Sequence, residues 1–208
     1  MTNSISSAEA AVTSASTFPP HALRDYAILA DGRRGAVIGP RGDIAWMCAP
    51  RWDSAAVFST LVGGAGAYGV TPADTFVWGG YYEPRSLIWR SRWVTTTSTI
   101  ECREALAYPG DAHRLILLRR IEAGSDEAVV DVVLDVGSDF GRRQARPLRR
   151  DADGRWITSD GPLRIRWSGA SDARMGGERG IDAAASPTTR GTPRPRPRDL
   201  RRGTSRSG

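Results

Sequence analysis

The central part of the chain alternates apolar and polar residues with the period of two that is typical of β-strands. Residues 87–94, LIWRSRWV, place two Trp on one face and two Arg on the other. The following residues 95–102, TTTSTIEC, are rich in the β-branched side chains that favour strands. In residues 127–136, EAVVDVVLDV, four apolar side chains fall on one face. These segments predict antiparallel strands, the first two of them joined as a hairpin.

Turn residues separate the predicted strands along the chain. The turn PRG at residues 40–42 lies between the short β-type runs 35–39 and 43–48. The pairs Asp-Gly at 153–154 and 160–161 bound two further strands, at 155–158 and 163–167. Strands that recur about every 8–12 residues between such turns predict an all-β fold, an antiparallel β-sandwich.

Two local predictions complete this description of the fold. The four residues AGSD connect the apolar runs 113–122 and 127–136, which predicts a second antiparallel hairpin. Residues 54–61, SAAVFSTL, place apolar side chains at helical spacing after Ser54, and they predict a short helix.

Composition divides the chain into three regions. Residues 1–20 are rich in Ser, Thr and Ala and predict a disordered leader, while residues 21–169 carry the strand pattern. Residues 170–208 contain the run PRPRPR and few apolar residues, so they predict a disordered tail that cannot offset its ordering entropy. Because the change is abrupt, we hypothesise that the tail arises from a shifted reading frame, which would leave the sandwich incomplete.

The net charge of +6 is concentrated in the predicted tail. Residues 1–169 contain twenty Arg and nineteen acidic residues, whereas residues 170–208 contain nine Arg and four acidic residues. The strand region is therefore nearly neutral, which argues against a basic groove for nucleic acid on that region. Nucleic-acid binding through the Arg-rich tail stays as a second alternative function.

The remaining composition argues against several classes of site. Cys48 and Cys102 do not form a CxxC pair, and they predict two buried free thiols in a cytoplasmic protein. His21 and His113 lack the spacing of metal ligands, so neither a metal nor a cofactor is predicted. The first residues lack the basic and apolar regions of a signal peptide, and no run of about 20 apolar residues predicts a membrane span.

The sequence predicts no catalytic residue. No Ser lies in a G-x-S-x-G elbow, and the Gly-rich residues 61–69, LVGGAGAYG, lack the Lys-Ser/Thr pair of a phosphate-binding loop. Glycoside hydrolysis needs two carboxyl groups at a defined separation, and several Asp lie near aromatic residues or turns. Local roles in turns explain these Asp as well. They are Asp25, Asp31, Asp43, Asp53 and Asp139.

Aromatic residues are the most distinctive feature, with seven Trp, five Tyr and four Phe. Trp46, Trp89 and Trp93 fit positions in the core of a sandwich. Four other aromatic residues, with two charged residues of one loop, are candidates for a carbohydrate surface or a domain interface. These candidates are Trp52, Trp78, Tyr81, Tyr82, Arg51 and Asp53.

Residues 23–64, LRDYAILADGRRGAVIGPRGDIAWMCAPRWDSAAVFSTLVGG, resemble the N-terminal region of glycoside hydrolase family 15 proteins of the glucoamylase and trehalase type. The string W-x-C-x-P-R-x-D-S is its most specific part. The resemblance continues in order to about residue 167 through YYEPRSLIWRSRWVTTTSTIECREAL, HRLILLRRIEA and LDVGSDFGR. Ala45, Trp52 and Val62 depart from the residues that this family favours, which are Asp, Phe and Leu.

This resemblance implies a β-sandwich domain that, in the family, precedes an (α/α)6 barrel carrying both catalytic glutamates. It implies that the chain is a truncated N-terminal domain without catalytic activity of its own. Its partner in intact relatives would be the barrel of the same chain, and the substrate of the parent enzyme would be trehalose or an α-glucan. The main alternative is a stand-alone carbohydrate-binding module that uses the exposed aromatic residues.

Overall fold

The computed structural model describes residues 18–124, 128–144, 146–169, 173–176, 180–185 and 188–189. Strands make up most of its regular structure, so the predicted all-β fold class is confirmed. The strands are β1 (Ala27–Ala30), β2 (Gly35–Ile38), β3 (Ile44–Cys48), β4 (Ala56–Phe58), β5 (Ala67–Pro72), β6 (Val77–Tyr82), β7 (Trp89–Val94), β8 (Thr99–Leu106), β9 (Leu117–Ala123), β10 (Val130–Asp135), β11 (Gly137–Ser138), β12 (Arg143–Gln144), β13 (Arg149–Arg150), β14 (Trp156–Asp160), β15 (Leu163–Trp167), β16 (Arg174–Gly176), β17 (Gly180–Ala185) and β18 (Thr188–Thr189). Single turns of 3-10 helix occur at Leu23–Asp25, Thr60–Val62 and Asp139–Gly141.

The strands form four main sheets. Strands β1 to β4 lie side by side in chain order. A second sheet has the order β16-β17-β10-β5, and a third has the order β18-β9-β8-β7-β6. Strands β13, β14 and β15 form a small sheet, and β11 pairs with β12. All neighbouring strands are antiparallel except β18, which runs parallel to β9.

The apolar faces of these sheets meet in one core. Alternating side chains of β10 and β8 are buried, as the period of two predicts. Trp93 of β7 is fully buried, and its indole Nε1 donates a hydrogen bond to the Pro40 carbonyl oxygen at 3.0 Å. The most buried apolar side chains come from the three larger sheets. They are Leu29, Ile38, Ile44, Val70, Trp93, Ile100, Cys102 and Val130.

The turn at residues 40–42 fits closely between two of these sheets. Gly42 has φ +71°, a left-handed conformation that favours glycine. A Cβ atom on Gly42 would stand 2.2 Å from the Val70 carbonyl oxygen and 2.7 Å from the Trp93 ring. Glycine is therefore required here both for the backbone conformation and for the close approach of β5 and β7.

One predicted hairpin and one pair of predicted strands are confirmed. Strands β7 and β8 pair with Val94 opposite Thr99, and the connecting residues are closed by hydrogen bonds between Thr95 and Ser98. Strands β14 and β15 pair around Gly161, which has φ +53°. In both cases a clear alternation ends at residues with turn chemistry, so local sequence was sufficient.

The predicted hairpin between residues 113–122 and 127–136 is wrong. Strand β9 pairs with β8 in the third sheet, whereas β10 pairs with β5 and β17 in the second sheet. Both strands have an apolar face, and a sandwich buries such faces by placing the strands in different sheets. A short connection can join two strands of different sheets as well as two strands of a hairpin. The length of the connection therefore did not distinguish these two arrangements.

The predicted helix at residues 54–61 is also wrong. Residues Ala56–Phe58 form β4, which pairs with β3 so that Phe58 lies opposite Met47. All three residues of β4 are buried, and a short apolar run of this kind has no periodicity that separates strand from helix.

The two segments predicted to be disordered contain ordered residues. Phe18 is buried, and its ring packs on Gly69 of β5. Strands β16 and β17 pair with each other, and β17 extends the second sheet next to β10. The prediction is therefore wrong for Phe18 and for these strands, because pairing to an apolar strand compensates for the low hydrophobicity of residues such as Ala183. The rest of both segments lies largely outside the described residues.

Candidate functional site

Strand β6 is the edge strand of the third sheet and carries three of the predicted candidate residues. All six of its residues are exposed. Trp78 lies opposite the buried Trp93, and Tyr82 lies opposite Trp89. Because successive side chains alternate, Trp78 and Tyr82 share the core-facing side of the sheet and Tyr81 points to the other side. The three aromatic residues therefore do not form a common stacking surface.

Tyr82 holds an edge of the first sheet. Its hydroxyl accepts a hydrogen bond from the Ile28 amide at 2.7 Å and donates one to the Ile28 carbonyl oxygen at 3.1 Å. The Tyr82 ring also contacts Trp89 edge to face, with 4.9 Å between the ring centroids. Since Ile28 lies on β1, an edge strand, Tyr82 satisfies backbone groups that another strand could otherwise pair with.

Arg51, Trp52 and Asp53 lie together on the loop after β3. Arg51 and Asp53 form a bidentate ion pair, with Nε to Oδ1 at 2.9 Å and Nη2 to Oδ2 at 2.8 Å. Both side chains are largely exposed, so this pair contributes little stability. The Trp52 ring packs on Gly35 of β2, where a Cβ atom would stand 2.1 Å from the ring, yet 56% of the residue is exposed.

A chain of polar contacts crosses the core-facing side of the third sheet. The Trp89 indole donates to Ser91 Oγ at 3.1 Å, and Ser91 Oγ donates to Glu104 Oε2 at 2.7 Å. The other oxygen of Glu104 accepts a hydrogen bond from the Arg119 guanidinium. The side chains of Glu104 and Arg119 are 0% and 3% exposed, so this is a buried ion pair between β8 and β9.

Arg119 extends this network to two other strands. Its guanidinium donates to the carbonyl oxygens of Gly42 and Tyr68, and it lies 4.6 Å from the centroid of the Tyr68 ring. The Tyr68 hydroxyl accepts a hydrogen bond from the Trp167 indole at 3.0 Å. Burial alone would lower the pKa of Arg119, but the neighbouring Glu104 carboxylate raises it above its ordinary value. Through these contacts Arg119 connects the third sheet to the β2–β3 turn and to β5.

The sequence analysis did not identify Glu104 or Arg119, although a signal was present. Glu104 shares the strand face of Ile100 and Cys102, and Arg119 shares that of Ile121. A charged residue on an otherwise apolar strand face indicates a buried partner of opposite charge.

A second buried ion pair joins Asp31 and Arg34. Asp31 accepts hydrogen bonds from the amides of Arg33 and Arg34, and Arg34 Nη2 lies 2.9 Å from Asp31 Oδ2. Arg34 also donates to the carbonyl oxygens of Asp111 and Arg114, at 2.7 and 3.1 Å. Burial alone would raise the pKa of Asp31, but the two amides and the Arg34 guanidinium lower it below its ordinary value. This pair fixes the loop before β9 to the β1–β2 turn.

A cleft of about 1280 Å³ lies between β9, with the loop before it, and the small sheet of β14 and β15. Apolar side chains such as Met47, Phe58 and Leu134 contribute to its lining. Seven Arg also line it, and no acidic residue of the described chain does. The seven are Arg34, Arg114, Arg119, Arg146, Arg149, Arg164 and Arg166.

The expectation that the strand region has no basic groove is wrong for this cleft. The summed charge of residues 1–169 is nearly neutral. The described acidic residues of that region lie outside the cleft, however, and several of them form ion pairs on other surfaces. The outer face of the third sheet holds one such network, in which Glu83 binds both Arg90 and Arg103. Segregation of the two signs of charge therefore leaves the cleft basic.

The Asp residues that sequence singled out have local partners or turn positions. Asp25 lies 3.8 Å from Arg24, and Asp31 and Asp53 belong to the ion pairs above. Asp43 is buried against Gly39, and burial raises its pKa despite the nearby positive charge of Arg119. None of these carboxyl groups lines the cleft.

The described residues also bear on metal sites, on the two thiols and on membrane spans. Within the described ranges, no three His, Cys, Asp or Glu side chains are arranged to hold a metal ion. Cys48 and Cys102 are both buried free thiols, as the sequence predicts. No helix in the described part of the chain is long and apolar enough to span a bilayer.

Comparisons with known proteins identify the family. The trehalases of Mycobacterium tuberculosis and Mycolicibacterium smegmatis are each 36% identical to this chain, over 95 and 91 residues. These matches cover 43% of this chain but only 13% of each trehalase, and no solved structure matches. The family model described as trehalase-like, N-terminal, matches residues 19–206, which counts against a shifted reading frame at residue 170. The chain belongs to the trehalase-like N-terminal domain family.

Proposed function

We propose that this chain is the noncatalytic N-terminal domain of a glycoside hydrolase of the family 15 type, and that it packs against a separate catalytic domain. The position of the carboxyl groups is the observation that carries this proposal. Glycoside hydrolysis uses two carboxyl groups about 5–10 Å apart across a bound sugar. Here the large cleft is lined by Arg, and Asp31 and Glu104 are held in buried ion pairs.

An exposed apolar surface supports the packing role. Val77 of β6 and Val94 of β7 lie directly opposite each other and are 74% and 44% exposed. Tyr81 of β6 lies on the same face as Val77 and is 46% exposed, whereas Trp78 is exposed on the opposite face. Contiguous exposed apolar residues of this kind mark protein contact surfaces. We assign this edge to the interface with the catalytic domain.

The names of the relatives suggest the substrate of the parent enzyme. Both curated relatives are trehalases, so hydrolysis of trehalose is the activity that we propose for the intact enzyme. An α-glucan, as in glucoamylases, is the alternative substrate. The two free thiols support a cytoplasmic location, where disulfides are rare.

A carbohydrate-binding module is the second candidate function. It is favoured by the exposure of Trp52, at 56%, and of Trp78, at 39%, because indole rings stack on sugars. It is disfavoured by the opposite orientations of Tyr81 and Tyr82 and by the structural contacts of Tyr82. Titration with maltooligosaccharides distinguishes the two functions, since stacking would change Trp fluorescence in a saturable manner.

The test of the proposed function is hydrolysis by the purified chain. Incubation with trehalose, maltose or starch should release no glucose. Glucose release that scales with the concentration of the chain would contradict the proposal.

A further inference from the structure

Two strand edges open into the Arg-lined cleft. Among the described residues, strand β15 pairs with β14 alone, and three successive residues of β15, Arg164, Ile165 and Arg166, line the cleft. Successive side chains of a strand point to opposite faces of the sheet. A cleft that is lined by three successive residues of one strand therefore lies beside the edge of that strand and not over one face. Leu117, Leu118 and Arg119 of β9 line the opposite wall, at the part of β9 that lies before its pairing with β18 at Glu122 and Ala123.

The positive charges of the cleft include several that have no acidic partner. Arg34 and Arg119 are paired with Asp31 and Glu104. The other five Arg are exposed and form no ion pair with a described residue. They are Arg114, Arg146, Arg149, Arg164 and Arg166.

Three of these five Arg lie on one face of the small sheet. Arg166 is opposite Ile157, Ile157 is opposite Arg149, and Arg164 shares the face of Arg166 on β15. The other face of β15 is apolar, with Leu163 and Ile165 half-buried and Trp167 buried. An occupant at this edge would therefore meet positive charge on one face and apolar side chains on the other.

We propose that the cleft docks an extended acidic segment of the catalytic domain, which adds a strand to the free edge of β15. Such a segment would alternate acidic residues, facing Arg164 and Arg166, with apolar residues that face the core. Backbone hydrogen bonds would provide affinity, and cross-strand charge pairs would provide specificity. The inference rests on the proposed packing role and adds a contact with the catalytic domain at a second surface, apart from the β6 edge.

The lining favours a polypeptide over a nucleic acid. Single-stranded nucleic acids bind where exposed aromatic rings stack on bases along a positive groove. The Phe, Tyr and Trp rings of this cleft are not available for stacking, since Phe58 and Trp167 are buried and Tyr68 is covered by Arg119. Aliphatic side chains such as Leu117 and Ile165 line the cleft beside the two strand edges, and they suit an extended peptide.

Fluorescence anisotropy with a labelled peptide of alternating Glu and Val, about eight residues long, tests this inference on the whole chain. The peptide should bind saturably, and the variant Arg164→Glu/Arg166→Glu should weaken binding at least about tenfold. The variant Arg24→Glu/Arg85→Glu changes the net charge equally at exposed positions outside the cleft, and it should bind as the wild type does. Circular dichroism confirms that both variants are folded.

Three further probes separate strand addition from other modes of binding. A Glu/Val peptide that is N-methylated at alternate amides keeps its charge but loses backbone donors, and it should not bind. A Lys/Val peptide should not bind either, and a single-stranded oligonucleotide should bind more weakly than the Glu/Val peptide. Equal binding of the N-methylated or Lys/Val peptide, tighter binding of the oligonucleotide, or no binding of the Glu/Val peptide would overturn the inference. Glucose release by the chain would instead overturn the proposed function, so the two failures are distinct.

Discussion

Glu104 and Arg119 form an ion pair whose two side chains are 0% and 3% exposed, and Arg119 also binds the backbone at Gly42 and Tyr68. The pair lies on β8 and β9, while its backbone partners belong to the β2–β3 turn and to β5. A single guanidinium therefore connects the third sheet to the first and second.

Removing one member of this pair should destabilise the fold strongly. We expect Glu104→Gln to lower the free energy of unfolding by about 3–5 kcal/mol, because Arg119 would stay buried without a full counter-charge. Asp53→Asn breaks the bidentate Arg51–Asp53 pair, whose side chains are 75% and 70% exposed, and it should change stability by less than about 1 kcal/mol. Urea unfolding of both variants measures the difference. Equal effects would show that burial of the Glu104–Arg119 pair is not important.

Tyr82 should protect the edge of the first sheet. Tyr82→Phe removes the hydroxyl that binds the amide and the carbonyl of Ile28, so the Ile28 amide should exchange with solvent faster. We expect a loss of stability of only about 0.5–1.5 kcal/mol, since water can replace the hydroxyl at this exposed site. Tyr81→Phe, on the other face of β6, is the matched control and should leave exchange at Ile28 unchanged. Native-state hydrogen exchange checks the prediction, which fails if the two variants behave alike.

Gly42 should tolerate substitution much less well than another glycine with a similar backbone. Gly42 and Gly154 have φ of +71° and +76°, but a Cβ atom at Gly154 would meet no atom within 4 Å. We expect Gly154→Ala to cost about 1–2 kcal/mol from backbone strain alone. Gly42→Ala should cost at least about 1–3 kcal/mol more, because its Cβ overlaps Val70 and Trp93. Thermal unfolding of the two variants separates strain from overlap, and similar losses would contradict the close packing described at Gly42.

Glu83 should contribute to stability in a pH-dependent manner. Hydrogen bonds from Arg103 and Arg90 lower the pKa of Glu83 from 4.5 to about 2. A carboxyl group with a lowered pKa in the folded state stabilises the fold above its ordinary pKa, and this contribution is lost as pH falls from 4.5 towards 2. Glu83→Gln should therefore make stability less dependent on pH across this interval. Urea unfolding at a series of pH values measures both slopes, and parallel curves would contradict the prediction.

Local sequence was sufficient where alternation and turn chemistry agreed. The β7–β8 hairpin, the strands β14 and β15, the burial of Trp93 and the two free thiols followed from short segments. The assignments failed where non-local pairing decides the outcome. Strand β17 contains three consecutive Ala and is ordered through its pairing with β10, and β9 and β10 lie in different sheets although four residues connect their predicted runs.

The residues of the candidate sites were harder to predict than the strands, because the arrangement of the strands in space brings them together. The Arg residues of the cleft come from segments around residues 34, 114–119, 146–149 and 164–166, and no spacing rule relates such segments. Charge summed along the chain concealed them, because acidic residues such as Glu83 and Glu122 lie on the other side of the third sheet. By contrast, the positions of Glu104 and Arg119 on apolar strand faces were a readable signal of a buried pair.

The most direct test of the central claim is trehalose hydrolysis by the purified chain, with the trehalase of Mycobacterium tuberculosis as the positive control in the same assay. The account predicts that the chain releases glucose at the rate of buffer alone, because no acidic residue of the described chain lines the cleft and Asp31 and Glu104 are held in buried ion pairs. Turnover that scales with the concentration of the chain, and that a single Asp→Asn or Glu→Gln change abolishes, would contradict it.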